Sequence, residues 1–92
     1  MKYEFPAIIS YNLKEKIYYV NFPDITNCFT DGENLREALD NAEDVLNLML
    51  VNAEEKGEKI PQPCDIETIT LNQGEIIALI EADTNLYSKI AV

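Results

Sequence analysis

Hydrophobic and polar residues alternate near the start of the chain, and this pattern predicts a β-strand from Lys2 to Ser10. Pro6 lies inside the strand and has no N–H to donate, so we expect a bulge or an unpaired side at that position. After a polar connection, aromatic and β-branched residues predict a second strand from Ile17 to Phe22. A Pro-Asp turn then leads to a short third strand from Asn27 to Asp31. Three consecutive strands with short links predict an antiparallel meander.

A long amphipathic helix is predicted after the third strand. Apolar residues recur at three- and four-residue steps from Leu35 to Ala53. Asn34 and Glu37 have the spacing of a capping box, with Asn in place of the usual Ser or Thr. Gly57 comes where a glycine commonly ends a helix. The pattern predicts about 23 helical residues, which would span roughly 34 Å. One side of the helix carries polar residues that we interpret as a solvent-facing line: Asp40, Glu43, Asp44 and Asn47.

The chain after the helix predicts further extended structure. Two prolines keep residues 60–64 extended, and the segment from Ile66 to Leu71 predicts a weak strand. A continuous apolar run from Ile76 to Ile80 is typical of a strand covered on both faces, one of which would meet the helix. We therefore predict an α+β fold in β-β-β-α-β order, with a three-stranded antiparallel meander, a long helix and a further strand. If the last strand ran parallel to the first, the crossover should be right-handed.

The charge of the chain favours a basic protein as its partner. The 92 residues, enough for one domain, include 7 basic and 17 acidic residues, and the formal net charge is −10. An acidic domain of this size repels phosphate backbones, so we expect no direct binding to DNA or RNA. A basic protein is a better partner, although the same charge could serve only to keep the protein in solution.

The residue types narrow the chemistry further. The sequence has no His and two cysteines, Cys28 and Cys64, so a structural zinc site is nearly excluded and catalysis would have to rest on carboxylates. No apolar run approaches the roughly 18 residues of a membrane span, and the N-terminus lacks the pattern of a signal peptide. We therefore expect no membrane association, a cytoplasmic location and free thiols.

Three carboxylates, Asp24, Asp31 and Glu33, resemble a magnesium-binding set. Each also has a structural explanation. Asp24 follows a proline in a turn, and Asp31 and the glycine after it form an ordinary turn sequence before a helix. Glu33 lies beside the helix N-terminus, where the helix dipole favours negative charge. We favour the structural explanation and predict no metal, no cofactor and no catalytic residue. A metal-dependent nuclease relic is the less favoured alternative.

Several short segments, in their order and spacing, resemble the HicB-like antitoxins of bacterial toxin–antitoxin pairs. These segments are YEFPAI from residue 3, YVNFPDI from residue 19, NCFTDG from residue 27, LREALDNA from residue 35 and GEKIPQP from residue 57. The resemblance extends from about Tyr3 to Tyr87. It implies that residues 1–83 form the N-terminal antitoxin domain, with a partial ribonuclease H fold that has lost its nuclease residues.

The resemblance also implies a partner and a mode of action. The partner would be a small basic toxin of the HicA type, an mRNA-cleaving ribonuclease whose RNA-binding and active site the antitoxin covers. Many relatives carry a further DNA-binding module, and residues 84–92 would be a tail left from the linker to it. We therefore expect no DNA binding by the chain as given.

The predicted contact residues lie in the turn and strand before the helix. We predict that the partner contacts Asp24, Ile25, Asn27, Phe29 and Asp31, and that the chain forms at least a homodimer. The main alternative is an oligomeric scaffold or regulatory domain without a toxin.

Overall fold

A four-stranded antiparallel sheet and one long helix form two layers in the computed structural model, which describes residues 1–85. The strands are β1 (Lys2–Asn12), β2 (Ile17–Asn21), β3 (Phe29–Gly32) and β4 (Glu75–Asp83). The helix, α1, spans Leu35–Lys56 between β3 and β4. This is the predicted α+β fold in the predicted order. Residues 86–92, which include most of the predicted C-terminal tail, lie outside the described residues.

The order of strands across the sheet is β3-β2-β1-β4, and all neighbours are antiparallel. The last strand therefore pairs antiparallel with β1, over nine residue pairs from Lys2↔Asp83 to Ser10↔Glu75. Pairing between β1 and β2 covers only the second half of β1, from Ile8↔Asn21 onward. Pro6 thus has no partner in β2, which confirms the expected unpaired side at a residue that cannot donate.

The hydrophobic core lies between α1 and one face of the sheet. From the strands it takes Phe5, Ala7, Ile9, Val20 and Ile80, all buried. From the helix it takes four buried residues spaced four apart, namely Ala38, Ala42, Leu46 and Leu50. Because alanine occupies the first half of this stripe, the helix backbone approaches the sheet closely there.

Both helix ends are capped as the sequence predicts. The Asn34 side chain accepts a hydrogen bond from the backbone N–H of Glu37 at 2.9 Å. The Glu37 carboxylate in turn accepts from the N–H of Glu33 at 3.2 Å, one residue further back than in a standard capping box. At the other end Gly57 has φ of 69°, and its N–H donates to the Glu54 carbonyl at 3.2 Å. These local bonds explain why the helix bounds were predictable from sequence.

Gly32 has a different role from the one that the sequence suggests. It is buried at the end of β3, beneath the first turn of α1. A Cβ atom at this position would lie 2.4 Å from the Ala38 nitrogen and 2.7 Å from the Ala38 Cα. The glycine is required because the helix backbone passes directly over the strand, and not because of turn conformation.

Two predicted extended segments differ from expectation. Residues 66–71 do not form a strand, since Ile66–Thr68 is a short 3₁₀ helix in which Thr68 bonds to the Asp65 carbonyl through both N–H and hydroxyl. Within the described residues, the apolar run in β4 meets a second layer on one face, that of α1. In residues 1–85 no second layer covers the opposite face, and Leu79 on that side is 50% exposed.

Asn47 does not belong to the solvent-facing line of the helix. It is fully buried, its Nδ2 donates to the Glu43 carbonyl at 2.9 Å, and its Oδ1 accepts from the N–H of Asp83 at 3.0 Å. The side chain thus connects the middle of α1 to the end of β4. The helical spacing predicts a surface position for Asn47, because the pattern alone does not show where the last strand ends.

Candidate functional site

The sheet face opposite α1 has no covering layer within residues 1–85, and we call it the open face. The registers place one row across all four strands, in the order Phe29, Asn21, Ile8 and Ile77. In the neighbouring pair, Leu79 extends the exposed apolar area along β4, whereas its partner Pro6 on β1 is buried. Strand geometry sends alternate side chains to this side, so the open face is a direct consequence of the pairing registers.

Phe29 is the most prominent apolar side chain of the open face. It lies on edge strand β3 opposite Asn21 and is 64% exposed. Beside it a shallow groove of about 200 Å³ extends to Ile8 and Tyr19. Exposed aromatic rings next to a concavity are common at the centres of protein interfaces, because they bury a large area at low entropic cost.

Carboxylates border the apolar rows on both sides. Asp31 and Glu75 lie in the row that passes through Tyr19 and Ser10. On the other side, Glu4 and Glu81 face each other across β1 and β4. Lys2 is the only basic residue in the four strands. The open face therefore combines an apolar centre with a negative border, which complements a basic surface.

Tyr19 contributes a hydroxyl group to the edge of this face. Its OH donates to the carboxylate of Glu15 in the β1–β2 connection. This hydrogen bond, with the nearby charge of Asp31, raises the pKa of the Tyr19 phenol above its usual value. The bound phenol therefore loses its proton only at a higher pH than a free phenol does.

Three of the five predicted contact residues build the turn between β2 and β3. The Asp24 carboxylate accepts from the backbone N–H of Cys64 at 3.0 Å, which attaches the extended segment after the helix to this turn. Ile25 packs against the core, and its N–H donates to the Phe22 carbonyl at 3.2 Å. Asn27 has φ of 60°, a left-handed conformation that Asn tolerates better than most residues.

The other two predicted contact residues, Phe29 and Asp31, lie on the open face. They alternate along β3 and are both exposed. The backbone carbonyl of Asp31 accepts from the Asn41 side chain at 2.9 Å, so the helix holds this edge strand in place. The structure thus separates the predicted set into a turn that supports β3 and two side chains directed toward solvent.

The predicted carboxylates are not brought together. Within residues 1–85 no group of three His, Cys, Asp or Glu residues could hold a metal ion. The Asp24 side chain is directed at the segment after the helix, whereas Glu33 lies at the helix N-terminus. Burial raises the pKa of the Cys28 thiol to about 11, which leaves it a neutral core residue. The three carboxylates that suggested a nuclease, Asp24, Asp31 and Glu33, therefore do not form a metal site within residues 1–85.

Sequence reasoning missed the part of the open face that lies on β1, β2 and β4. Ile8, Asn21, Ile77 and Leu79 join Phe29 only through the strand registers. One signal was present, because an apolar run as continuous as that in β4 indicates that its second face also meets a partner. The sequence analysis assigns only one of the two covering layers, the helix.

Comparison with known proteins assigns the family. Residues 5–91 match the model of the HicB-like antitoxins of bacterial toxin–antitoxin systems. The chain therefore belongs to this family, as the sequence resemblance predicts. Its fold corresponds to the N-terminal domain of those antitoxins. None of the described helices is both long and apolar enough to cross a membrane.

The chain is also similar to individual proteins. An uncharacterized 14.9 kDa protein of Haemophilus phage HP1 is 32% identical over 77 residues, which are 78% of this chain and 57% of that protein. The chain thus spans little more than half of this relative's length. The antitoxin fold occurs in a toxin–antitoxin complex from Streptococcus pneumoniae, with a TM-score of 0.86, 24% identity and coverage of 95% of this chain and 73% of that one. The HicA3 and HicB3 toxin–antitoxin complex gives a TM-score of 0.69 at 23% identity, covering 88% of this chain and 99% of that one.

Proposed function

We propose that this chain binds and neutralises a small basic toxin of the HicA type and blocks mRNA cleavage by covering the toxin's RNA-binding and active site. Membership of the antitoxin family and the HicA3–HicB3 complex of similar fold support the class of partner. The observation that carries the proposal for this chain is the open face, an apolar centre bordered by carboxylates in a protein of net charge −10. A ribonuclease surface that binds RNA is basic and complements such a face.

Phe29 and Asp31 make the direct contacts in this proposal. Phe29 enters an apolar depression of the toxin, and Asp31 pairs with a basic side chain beside it. Asp24, Ile25 and Asn27 contribute at the rim and hold the turn that positions β3. The hydrogen bond from Cys64 to Asp24 and the packing of Ile25 support this division of roles.

The proposed mechanism is steric occlusion aided by electrostatic attraction. The negative charge speeds the encounter with a basic partner, whereas the apolar rows slow its dissociation. The chain acts by binding and not by catalysis. The lack of His in the sequence and the dispersed carboxylates of residues 1–85 support this choice. Because the proposed toxin cleaves mRNA, we place the complex in the cytoplasm.

Self-association is a second proposal. Small soluble proteins commonly form symmetric homo-oligomers, and we expect at least a dimer. Light scattering coupled to size-exclusion chromatography tests this directly. A monomer at all concentrations between about 1 μM and 1 mM, the range in which weak association is detected, would contradict it.

A matched pair of alanine variants tests the contact surface. Phe29→Ala removes the exposed ring of the open face, whereas Leu48→Ala removes a similarly exposed apolar side chain, 58% accessible, from the helix. Full burial of a Phe side chain contributes about 1.5–3 kcal/mol. Because Phe29 is 64% exposed in the unbound chain, about two thirds of this free energy is available for binding. We therefore expect roughly 5- to 30-fold weaker binding for Phe29→Ala.

Calorimetry with the small basic protein encoded beside this gene measures both affinities. We expect Leu48→Ala to bind like the unmodified chain. Equal affinities for the two variants, with both correctly folded, would remove the open face from the proposal. If no complex forms with the neighbouring protein at all, the scaffold or regulatory alternative takes the place of the antitoxin function.

A further inference from the structure

β4 is an edge strand with backbone groups directed away from the sheet. Within residues 1–85 it pairs only with β1. The N–H of Asp83 donates to Asn47 and that of Glu75 to the Asn72 carbonyl, so neither donates to β1. Leu79 lies opposite Pro6, which has no N–H. Since alternate residues of an antiparallel strand bond to the same side, the N–H and C=O groups of Ile77, Leu79 and Glu81 also point outward.

Apart from its carboxylates, this edge lacks the devices that usually prevent strand addition. Natural edge strands are often short or contain Lys, Pro or a bulge. β4 has nine residues without Lys, Arg, Pro or Gly, and its pairing with β1 is continuous. Its centre is apolar on both faces, with Ile76 53% and Leu79 50% exposed. The middle of the strand, from Ile76 to Ile80, therefore has the composition of a central strand in an edge position.

Carboxylates surround the apolar centre of the edge. Glu75 precedes it, and Glu81 and Asp83 follow it on the same strand. Asp40 and Glu43 of α1 line a groove of about 430 Å³ that runs beside Leu79 and Glu81. An incoming strand would thus meet apolar side chains in the middle and negative charge at both ends.

The charges disfavour a second copy of this chain as the added strand. Antiparallel pairing of two β4 strands about a twofold axis at Leu79 would place Glu75 opposite Asp83. An axis at Ala78 would place Glu75 opposite Glu81. Each arrangement contains the acidic pair twice by symmetry, and like charges directly opposite are destabilising. The net charge of −10 on each copy adds to this repulsion.

We propose that the β4 edge binds an extended basic segment of the partner protein, which adds a fifth strand to the sheet. The inference rests on the proposed function for the identity of that protein, but the recognition follows from β4 itself. Backbone groups of Ile77, Leu79 and Glu81 pair with the incoming strand. Apolar side chains of the segment cover the centre, and its Lys or Arg side chains pair with Glu75 and Glu81.

Amide hydrogen exchange on the ¹⁵N-labelled chain tests this pairing residue by residue. Strand addition should slow exchange at Ile77, Leu79 and Glu81 by at least about tenfold, whereas Ala78 and Ile80 are already protected by β1. Two probes are used: the neighbouring basic protein, and a capped eight-residue peptide of alternating Lys and Val. A peptide of alternating Glu and Val is the matched control and should protect nothing.

The outcomes separate this inference from the proposed function. A complex with the basic protein in which the three amides exchange as in the unbound chain would overturn the inference and leave the function standing. Protection by the Lys–Val peptide without binding of the basic protein would support strand addition at the β4 edge and contradict the proposed antitoxin function. Protection that rises with the concentration of the unbound chain would identify a second copy as the occupant and overturn the basic assignment.

A pair of variants at one position adds a binding readout. Leu79→Pro removes the outward N–H without removing a bond to β1, whereas Leu79→Ala removes the side chain and keeps the N–H. We expect Leu79→Pro to weaken binding of the Lys–Val peptide at least about fivefold more than Leu79→Ala does. Equal affinities would show that side-chain contact alone is involved. If Leu79→Pro fails to fold, the exchange pattern of the unmodified chain still decides.

Discussion

Replacement of Gly32 by alanine should destabilise this domain more than any other single methyl addition at a glycine. The added Cβ would lie 2.4 Å and 2.7 Å from the Ala38 nitrogen and Cα, and 2.9 Å from the Glu37 carbonyl carbon. Ordinary contacts of a Cβ atom begin near 3.4 Å. The opposing atoms are helix backbone, which no side-chain rotation can move away. Either α1 or the end of β3 must therefore shift by about 1 Å, the difference between these distances.

The magnitude follows from the nature of the clash. Overpacking in a core costs about 1–3 kcal/mol when side chains can adjust, so we expect at least the upper end of this range, about 3 kcal/mol. For a domain of this size each kcal/mol lowers Tm by about 4–8 °C, which predicts a decrease of roughly 12–24 °C. Thermal and urea unfolding followed by circular dichroism measure both quantities.

Gly74→Ala is the matched control for this prediction. Gly74 has φ of 86° but has no atom within 4 Å of the position that a Cβ would take. Its substitution carries only the left-handed backbone cost of about 1–2 kcal/mol. If Gly32→Ala were as stable as the unmodified chain, or more stable than Gly74→Ala, the close approach of α1 to β3 would be wrong.

Three further predictions concern stability and association. Asn47→Ala should lower the free energy of unfolding in urea by about 1–3 kcal/mol, because it leaves the N–H of Asp83 without its partner. Asn52→Ala, at an exposed position of the same helix, is the control. Equal stabilities of the two variants would contradict this role of Asn47. The Tyr3 hydroxyl bonds to Glu54, which raises the pKa of Tyr3 to about 12 and lowers that of Glu54. Tyr3→Phe should therefore lower the free energy of unfolding by less than about 1 kcal/mol at pH 7. This difference from the unmodified chain should shrink below about pH 4, where Glu54 gains a proton, and above about pH 10, where Tyr3 begins to lose one. A difference that does not depend on pH would argue against the bond. Raising NaCl from about 50 to 500 mM should slow association with a basic partner severalfold in stopped-flow measurements, whereas a salt-independent rate would exclude electrostatic attraction.

The elements that depend on local signals were predictable from the sequence. Asn34 and Gly57 fix the ends of α1 through bonds to residues three or four positions away. Alternation and β-branched residues locate β1 and β2 without knowledge of the rest of the fold. The segment at residues 66–68 was misjudged because Thr68 bonds locally to Asp65, a competition that the apolar pattern does not reveal.

The candidate site was only partly predictable. The sequence predicts Phe29 and Asp31 on one strand, and both lie on β3, but their surroundings depend on which face of the sheet α1 covers. The role of Gly32 depends on the distance between two backbones, and that of Asn47 on where β4 ends. Such properties arise from strand registers and packing, and a single sequence contains no local signal for them.

The central claim is that this chain silences a toxin, and an RNA-cleavage titration tests it most directly. The small basic protein encoded beside the gene is purified, its cleavage of mRNA is measured, and this chain is added in increasing amounts. The account predicts that cleavage falls to background near one chain per toxin, and that Phe29→Ala requires a larger excess. Cleavage that continues undiminished when a well-folded chain is present in large excess would contradict the antitoxin function.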